Sequence, residues 1–186
     1  MTHPHREFNP DPVPLAYLIT FRAYGTWLHG DSRGSVDRFH NRYGAPLIPA
    51  NRRWQQYNER VLKRPPVQLT ASRRAAIEAA IRETCEIRRW KLWTLNVRTN
   101  HVHSVVTANC DPEIVLNAFK ANATRKMRDL GCWQSGKTPW VKKGSKRRLW
   151  KEKDLIAAIV YVESDQGEPF LKAWLLELEG GPITAC

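Results

Sequence analysis

The segment 90–107, WKLWTLNVRTNHVHSVVT, most constrains what this chain can fold into. It contains two β-prone stretches, 90–97 and 100–107, that meet in a turn at Arg98-Thr99-Asn100. Strands joined by so short a turn pair as an antiparallel hairpin. Alternate residues of a strand share a face, so His101 and His103 project together and Val102 points the other way.

Two neighbouring imidazoles on a strand can hold one divalent metal ion. The same spacing also arises by chance, as in His3-Pro4-His5 of the Pro-rich segment 1–14, which we expect to be flexible. A metal usually needs a third ligand, and a reaction needs a nucleophile or a water. The rest of the chain must therefore supply these groups if the pair is functional.

Composition restricts the class of protein. The chain has 186 residues, of which 42% are hydrophobic, and this suits one domain, 1–186, with a real core. No apolar run approaches a membrane span, and the N-terminus lacks the apolar segment of a signal peptide. The four cysteines include no Cys-x-x-Cys pair, which argues against a zinc ribbon and fits a reducing cytosol.

The chain is strongly basic, with a net charge of +12. Such a charge favours a polyanionic partner, most often nucleic acid. Eight tryptophans add flat surfaces that can stack on unpaired bases, so the partner is predicted to be single-stranded or distorted. The alternative is a merely soluble basic protein whose tryptophans lie in the core.

The elements follow in a simple order. A buried strand is predicted over 15–21, followed by a Gly- and Pro-containing insertion over 25–69 with a short helix around 53–62. Thr70 or Ser72 begins a helix that ends near Arg89, with an apolar stripe at Ile77, Ile81 and Cys85.

A second helix begins at Asp111-Pro112-Glu113, an N-cap with proline at the first helical position, and stops at Gly131. Its predicted apolar stripe consists of Leu116, Phe119, Ala123, Met127 and Leu130. A short strand at 148–150, a helix over 151–165 and another short helix over 171–178 complete the chain. Leaving aside the insertion and the last helices, this order predicts an α+β, ferredoxin-like antiparallel sheet with helices on one face.

The helix 151–165 carries the candidate nucleophile, Tyr161. Its predicted apolar stripe consists of Leu155, Ile156, Ile159, Val160 and Val162. Tyr161 falls on the opposite side with Ala157, Ala158 and Asp165, one helical turn before Asp165. Taken alone, Tyr161 could be an ordinary exposed tyrosine.

The combination of a His-x-His strand with a later helix that carries a tyrosine and, one turn on, an oxygen ligand resembles the HUH single-strand endonucleases. The specific resemblance is to the single-tyrosine, REP-associated tyrosine transposases of the IS200-like group. The resemblance covers 15–167 apart from the insertion. The motifs that carry it are Leu18-Ile19-Thr20-Phe21, Asn100-His101-Val102-His103, Phe119-Lys120 and Ile159-Val160-Tyr161-Val162.

The resemblance implies a metal-dependent transposase that cleaves hairpin-flanked, single-stranded DNA. Tyr161 would be the catalytic nucleophile and form a 5′-phosphotyrosine link. His101 and His103 would bind Mg²⁺ or Mn²⁺, and the third ligand would be Asp165 or the adjacent Gln166. Relatives typically have Gln or Asn at the position of Asp165, and the Asn-Pro that often follows is absent here.

Basic and aromatic residues are expected to hold the DNA hairpin and its single-stranded flank. The predicted DNA-binding residues are Lys120, Arg125, Lys137, Trp140, Lys142, Lys143, Lys146 and Arg147. The resemblance also implies a bacterial cytoplasmic protein that acts at the nucleoid, as a monomer or a homodimer.

Two other readings stay open at this point. The chain could be a non-catalytic, domesticated protein that binds hairpins, although no aromatic RNA-binding motif of the Arg-Gly-Phe type is present. It could also be a two-histidine phosphoesterase, for which a second histidine motif outside the N-terminus is missing.

Overall fold

The computed structural model describes residues 13–35 and 46–164. Its strands are β1 (Ala16–Arg22), β2 (Lys91–Val97), β3 (His101–Thr107) and β4 (Ser145–Leu149). They form one antiparallel sheet in the order β2-β3-β1-β4, which is the strand order of the ferredoxin-like fold. The predicted α+β class and the predicted hairpin are therefore confirmed.

The helices are α1 (Arg52–Arg60), α2 (Ala71–Ile87), α3 (Pro112–Asp129) and α4 (Glu152–Glu163). The helix α1 lies where the sequence predicts a short helix inside the segment 25–69. The start of α3 is also as predicted, because the Asp111 side chain accepts from the Glu113 N–H at 2.7 Å. This start is a local signal, and the surrounding structure does not override it.

One face of the sheet packs against α2 and α3. Strand alternation places Ile19 and Phe21 of β1 and Val102 and Val106 of β3 on this face. The helices contribute Ile77, Ile81, Cys85, Leu116, Phe119, Ala123 and Met127, as their stripes predict. Leu130 is an exception to the prediction, because it is the C-cap of α3 and is 63% exposed.

The other face is partly covered by α4, and here the predicted stripe is wrong in part. Leu155, Ala158 and Val162 pack against the sheet, whereas Ile156 and Val160 are 61% and 52% exposed. Nearly every residue from Leu155 to Val162 is apolar, so periodicity does not define a single buried face. Ala158, which the prediction placed on the opposite side with Tyr161, is 3% exposed and lies in this contact.

None of the helices in residues 13–35 and 46–164 combines the length and the apolar character that crossing a membrane requires. Residues 1–12, Asp165, Gln166 and the helix predicted over 171–178 lie outside the described part of the chain.

Candidate active site

The site is built around the two histidines of β3. His101 and His103 share one face of the sheet, as their spacing predicts. The next alternate residue, Val105, packs with α4, so this is the face that α4 partly covers. Their ring centroids are 4.6 Å apart with the planes at 82°. Both are buried, with exposed fractions of 8% and 3%, so the backbone of a central strand holds a compact pair of imidazoles.

Each imidazole is oriented by a neighbouring oxygen. Nδ1 of His101 lies 2.6 Å from Oδ1 of Asn100, and Nδ1 of His103 lies 2.7 Å from Oγ1 of Thr20. Histidine ligands in metal sites usually engage an oxygen through the ring nitrogen that does not bind the metal. A metal bound by this pair would therefore use Nε2 of each ring.

The Tyr161 ring lies against one of these imidazoles. The centroids of the Tyr161 and His103 rings are 5.6 Å apart, edge to face at 84°. Tyr161 is 38% exposed, so its ring reaches the buried pair while the residue remains accessible from solvent. The end of α4 is tied down beside it, because the Asn96 amide donates to the Val162 carbonyl at 2.9 Å and Asn96 is the cross-strand partner of His103.

The histidine pair fits the chemistry of a divalent metal site as two of its ligands. Within the described ranges, no group of three or more His, Cys, Asp or Glu side chains is assembled for a metal. The predicted third ligand, Asp165, and its alternative, Gln166, lie outside those ranges. The described residues thus provide two candidate ligands and their orienting partners.

A positive charge lies on the other side of the pair. Arg22 is the cross-strand partner of His101, and its guanidinium donates to the Trp27 carbonyl at 2.8 Å. Burial, and secondarily the charge of Arg33, lower the pKa of Arg22, yet an arginine keeps its charge in proteins. The Trp27 ring lies 6.2 Å from the His101 ring, so a cation and an aromatic ring border the site.

The predicted DNA-binding residues divide by burial. Arg125, Lys137, Lys142 and Lys143 are exposed, and Lys146 and Arg147 are half-buried. Lys120 and Trp140 are instead in the interior, with exposed fractions of 8% and 3%.

Both buried residues hold the loop that leads to β4. Nζ of Lys120 donates to the carbonyls of Val141, Lys142 and Lys143 at 2.9, 3.2 and 3.2 Å. Nε1 of Trp140 donates to the Lys120 carbonyl at 3.0 Å. Burial lowers the pKa of Lys120. These contacts position the exposed lysines of the loop.

Only some of the predicted residues lie on the histidine side of the sheet. Arg147 does, because it pairs with Leu18, which packs with the α4 cluster. Lys146 points to the opposite side and forms an ion pair with Glu113. Arg125 belongs to α3, on that opposite side as well. The structure therefore separates Lys146 and Arg125 from the histidine pair.

Sequence reasoning did not identify the supporting residues Thr20, Arg22, Trp27, Asn96 and Asn100. A signal was available for Thr20, a polar residue inside the apolar run LITF. Asn100 directly precedes the histidine that it orients. Arg22, Trp27 and Asn96 approach the site only through strand pairing and the path of the loop, which no local pattern shows.

Comparison with known proteins places the chain near transposases. The family model described as "Transposase IS200 like" matches residues 59–156. A solved REP-associated tyrosine transposase bound to a REP hairpin aligns over 88% of this chain and 72% of its own, with 13% identity and a TM-score of 0.49.

A second solved structure, of a candidate transposase from Deinococcus radiodurans R1, aligns over 90% of this chain and 100% of its own, with 12% identity and a TM-score of 0.45. No curated protein matches the sequence.

Proposed function

The chain belongs to the IS200-like transposase family, and we propose that it is a metal-dependent endonuclease and strand transferase for single-stranded DNA. In this proposal, Tyr161 cleaves DNA next to a hairpin and becomes covalently linked to it. The observation that carries the proposal is the contact of the accessible Tyr161 ring with the buried His103 ring, at 5.6 Å between centroids.

The covalent step transfers one phosphoryl group. The Tyr161 oxygen attacks the phosphorus of a DNA phosphodiester, a P–O(Tyr) bond forms, and the P–O3′ bond breaks. The phenol loses its proton, and the departing 3′ oxygen gains one to become a free 3′-OH. Because the phosphotyrosine link retains an ester bond, a 3′-OH can later attack it and rejoin two strands without ATP.

His101 and His103 would hold Mg²⁺ or Mn²⁺, with Asp165 or Gln166 as the third ligand. The bound cation would supply charge that offsets the charge developing on the scissile phosphate. Asn100 and Thr20 keep the two imidazoles oriented for this task. Arg22, next to His101, adds a fixed positive charge for the same phosphate.

The DNA would be held by the basic loop and strand that follow α3. We propose that Lys137, Lys142, Lys143 and Arg147 contact the phosphates directly, and that Lys120 and Trp140 act by holding the loop. Arg125 and Lys146, on the far side of the sheet, would bind a more distant part of a hairpin. A solved relative binds a REP hairpin, and we propose a hairpin as the substrate here too.

A covalent-adduct assay tests the mechanism. The protein is mixed with Mn²⁺ and labelled single-stranded hairpins from the flanks of its own gene, and the products are separated on a denaturing gel. We expect a shifted band that EDTA abolishes and that Tyr161→Phe lacks.

Tyr57→Phe is the matched control, because Tyr57 is also an exposed helical tyrosine, 62% accessible, but lies on α1 in the insertion. This variant should form the adduct normally. Tight, EDTA-insensitive binding of hairpins without any adduct would instead establish the alternative, a non-catalytic hairpin-binding protein.

A single domain over 1–186, a cytoplasmic location at the nucleoid and a homodimeric state stay predictions. Fractionation of cells and light scattering of the purified protein would test the location and the oligomeric state.

A further inference from the structure

A pocket adjoins the histidine pair on the side away from Tyr161. It has a volume of about 510 Å³ and is bordered by the loop that follows β1, by the end of α1 and by the loop that precedes β4. Two of its lining residues, Arg22 and Trp27, are the ones that border His101. The pocket and the histidine site therefore share Arg22 and Trp27 as neighbours, although neither histidine of the pair lines the pocket.

The walls of the pocket are cationic and apolar. Arg22, Arg64 and Lys142 line it together with Tyr24 and Leu62, and the described lining contains no carboxylate. The guanidinium of Arg64 lies 4.0 Å from the centroid of the Tyr24 ring, which makes a flat, positively charged wall. Arginine planes and aromatic rings are the surfaces on which unpaired bases stack, and cations beside them neutralise phosphate.

The pocket is also held rigidly. Trp27 has a φ of 52°, in the left-handed region that a bulky side chain rarely adopts. Its indole donates to the Gly34 carbonyl at 2.7 Å, and its own carbonyl accepts from Arg22. The hydroxyl of Thr26 donates to the Ala23 carbonyl at 2.7 Å, and the Ala23 N–H donates to the Asn100 carbonyl at 2.8 Å, which connects this loop to the residue before His101. Such preorganisation reduces the entropy that binding costs.

From these features we infer that the pocket binds one unpaired nucleotide of the DNA strand beside the scissile phosphate, a placement that rests on the proposed function. The phosphate of this nucleotide lies at Arg22 and Lys142. Its base packs against the wall of Tyr24, Leu62 and Arg64. The segment between β1 and α2 thus supplies a subsite for single-stranded DNA.

Binding measurements with two probes test the inference. Tyr161→Phe protein is used throughout, so that no covalent reaction contributes. The probes are a blunt G·C-rich hairpin and the same hairpin with a short thymidine tail, and fluorescence anisotropy gives each Kd. We expect Arg64→Ala to raise the Kd of the tailed hairpin about tenfold and to leave that of the blunt hairpin unchanged, and Lys142→Ala to weaken binding of the tailed hairpin several-fold more than that of the blunt one.

Lys63→Ala is the matched control, since Lys63 is an exposed cation next to Arg64 that does not line the pocket. It should change neither Kd. If both pocket variants behave like Lys63→Ala, or weaken the blunt hairpin equally, the inference is wrong. Lys142 is exposed, so its replacement tests the pocket even if Arg64→Ala destabilises the protein.

Photocrosslinking supplies a second readout. A tail with one 5-iodouracil should crosslink to a peptide that contains Tyr24 or Trp27, and crosslinks confined to other peptides would overturn the inference. If only the inference about the pocket is wrong, the Tyr161 adduct would still form in the original protein. Failure of the nuclease mechanism alone would leave the tail-dependent binding and the crosslink in place.

Discussion

At the scale of single residues, the site depends on side chains that touch the histidines rather than on the histidines alone. Thr20 lies on the strand next to His103 and places its hydroxyl 2.7 Å from Nδ1. Such a contact restricts ring rotation, and in the tautomer whose Nδ1–H donates to the hydroxyl, Nε2 has the lone pair that a metal requires. A β1 residue outside the predicted ligand set is therefore expected to influence the proposed metal site.

Replacing Thr20 with valine keeps the shape of the side chain but removes the oxygen beside His103. We expect the affinity for Mn²⁺ to fall about tenfold, because loss of an orienting partner weakens a histidine site. Titration followed by the EPR signal of free Mn²⁺ measures this without any DNA. Thr20→Ser retains the hydroxyl and should bind Mn²⁺ like the original protein; equal affinities for all three proteins would contradict the assigned role.

The buried thiol of Cys85 gives a second prediction at this scale. Burial raises the pKa of Cys85 to about 12, so at neutral pH it is protonated and, as a thiol, unreactive. Iodoacetamide should therefore modify the partly exposed Cys132 in the native protein and Cys85 only after unfolding. Mass spectrometry of the labelled peptides checks this order, and rapid native labelling of Cys85 would be the opposite result.

At the scale of elements, α4 delivers the tyrosine and the sheet fixes where it points. The helix packs through Leu155, Ala158 and Val162, and its last turn is held by the Asn96 amide. Tyr161 lies at the border between this buried face and the exposed one. Its position therefore depends on how α4 is seated on β2 and β3.

Asn96→Ala removes the bond that holds the end of α4. We expect adduct formation to slow by about ten- to a hundredfold, because small displacements of a reacting group have effects of this size. Hairpin affinity should not change. Asn122→Ala is the control. It also removes a hydrogen bond from a side-chain amide, here to the Thr84 hydroxyl, but this bond lies between α2 and α3. Equal adduct rates in both variants would show that the tether does not position Tyr161.

The contact of α3 with the basic loop makes a separate prediction about stability. Lys120→Met leaves the carbonyls of Val141, Lys142 and Lys143 without the ammonium that they share. We expect the free energy of unfolding in urea to fall by about 2 kcal/mol.

Arg125→Met, on the exposed face of the same helix, should change the free energy of unfolding by less than about 0.5 kcal/mol. A loss in Lys120→Met no larger than this would mean that the ammonium does not stabilise the loop.

At the scale of the whole molecule, the sheet separates the main hydrophobic core from the candidate site. One face carries the main core with α2 and α3, and the other carries the histidine pair, Arg147 and α4. The net charge of +12 favours long-range attraction of DNA. Affinity is thus expected to come largely from charge, while the proposed cleavage would depend on a few fixed groups.

This charge predicts a strong salt dependence of hairpin binding. Raising the salt concentration from about 50 to about 200 mM should weaken binding by about a thousandfold, because phosphate contacts release counterions. Lys143→Gln should reduce the slope of log K against log salt by about one. Anisotropy titrations at several salt concentrations measure both effects. A shallow slope would indicate that binding does not rest on phosphate contacts.

The sequence by itself determined those features that depend only on residues close together in the chain. The hairpin, the Asp111-Pro112 helix start, the common face of His101 and His103, and the order of strands and helices along the chain all follow from local periodicity, capping and turn rules. Lys120 and Trp140 show the limit of this reasoning, since composition suggested DNA contacts and the structure buries both.

Only the tertiary structure decided which side of α4 is buried, because a helix that is apolar on most sides has no single preferred face until the sheet selects one. It also decided the partners of the histidines. Thr20 is 83 residues from His103 in the chain, and Arg22 meets His101 only across paired strands. Contacts at such separations arise from strand pairing and packing, which local sequence patterns do not specify.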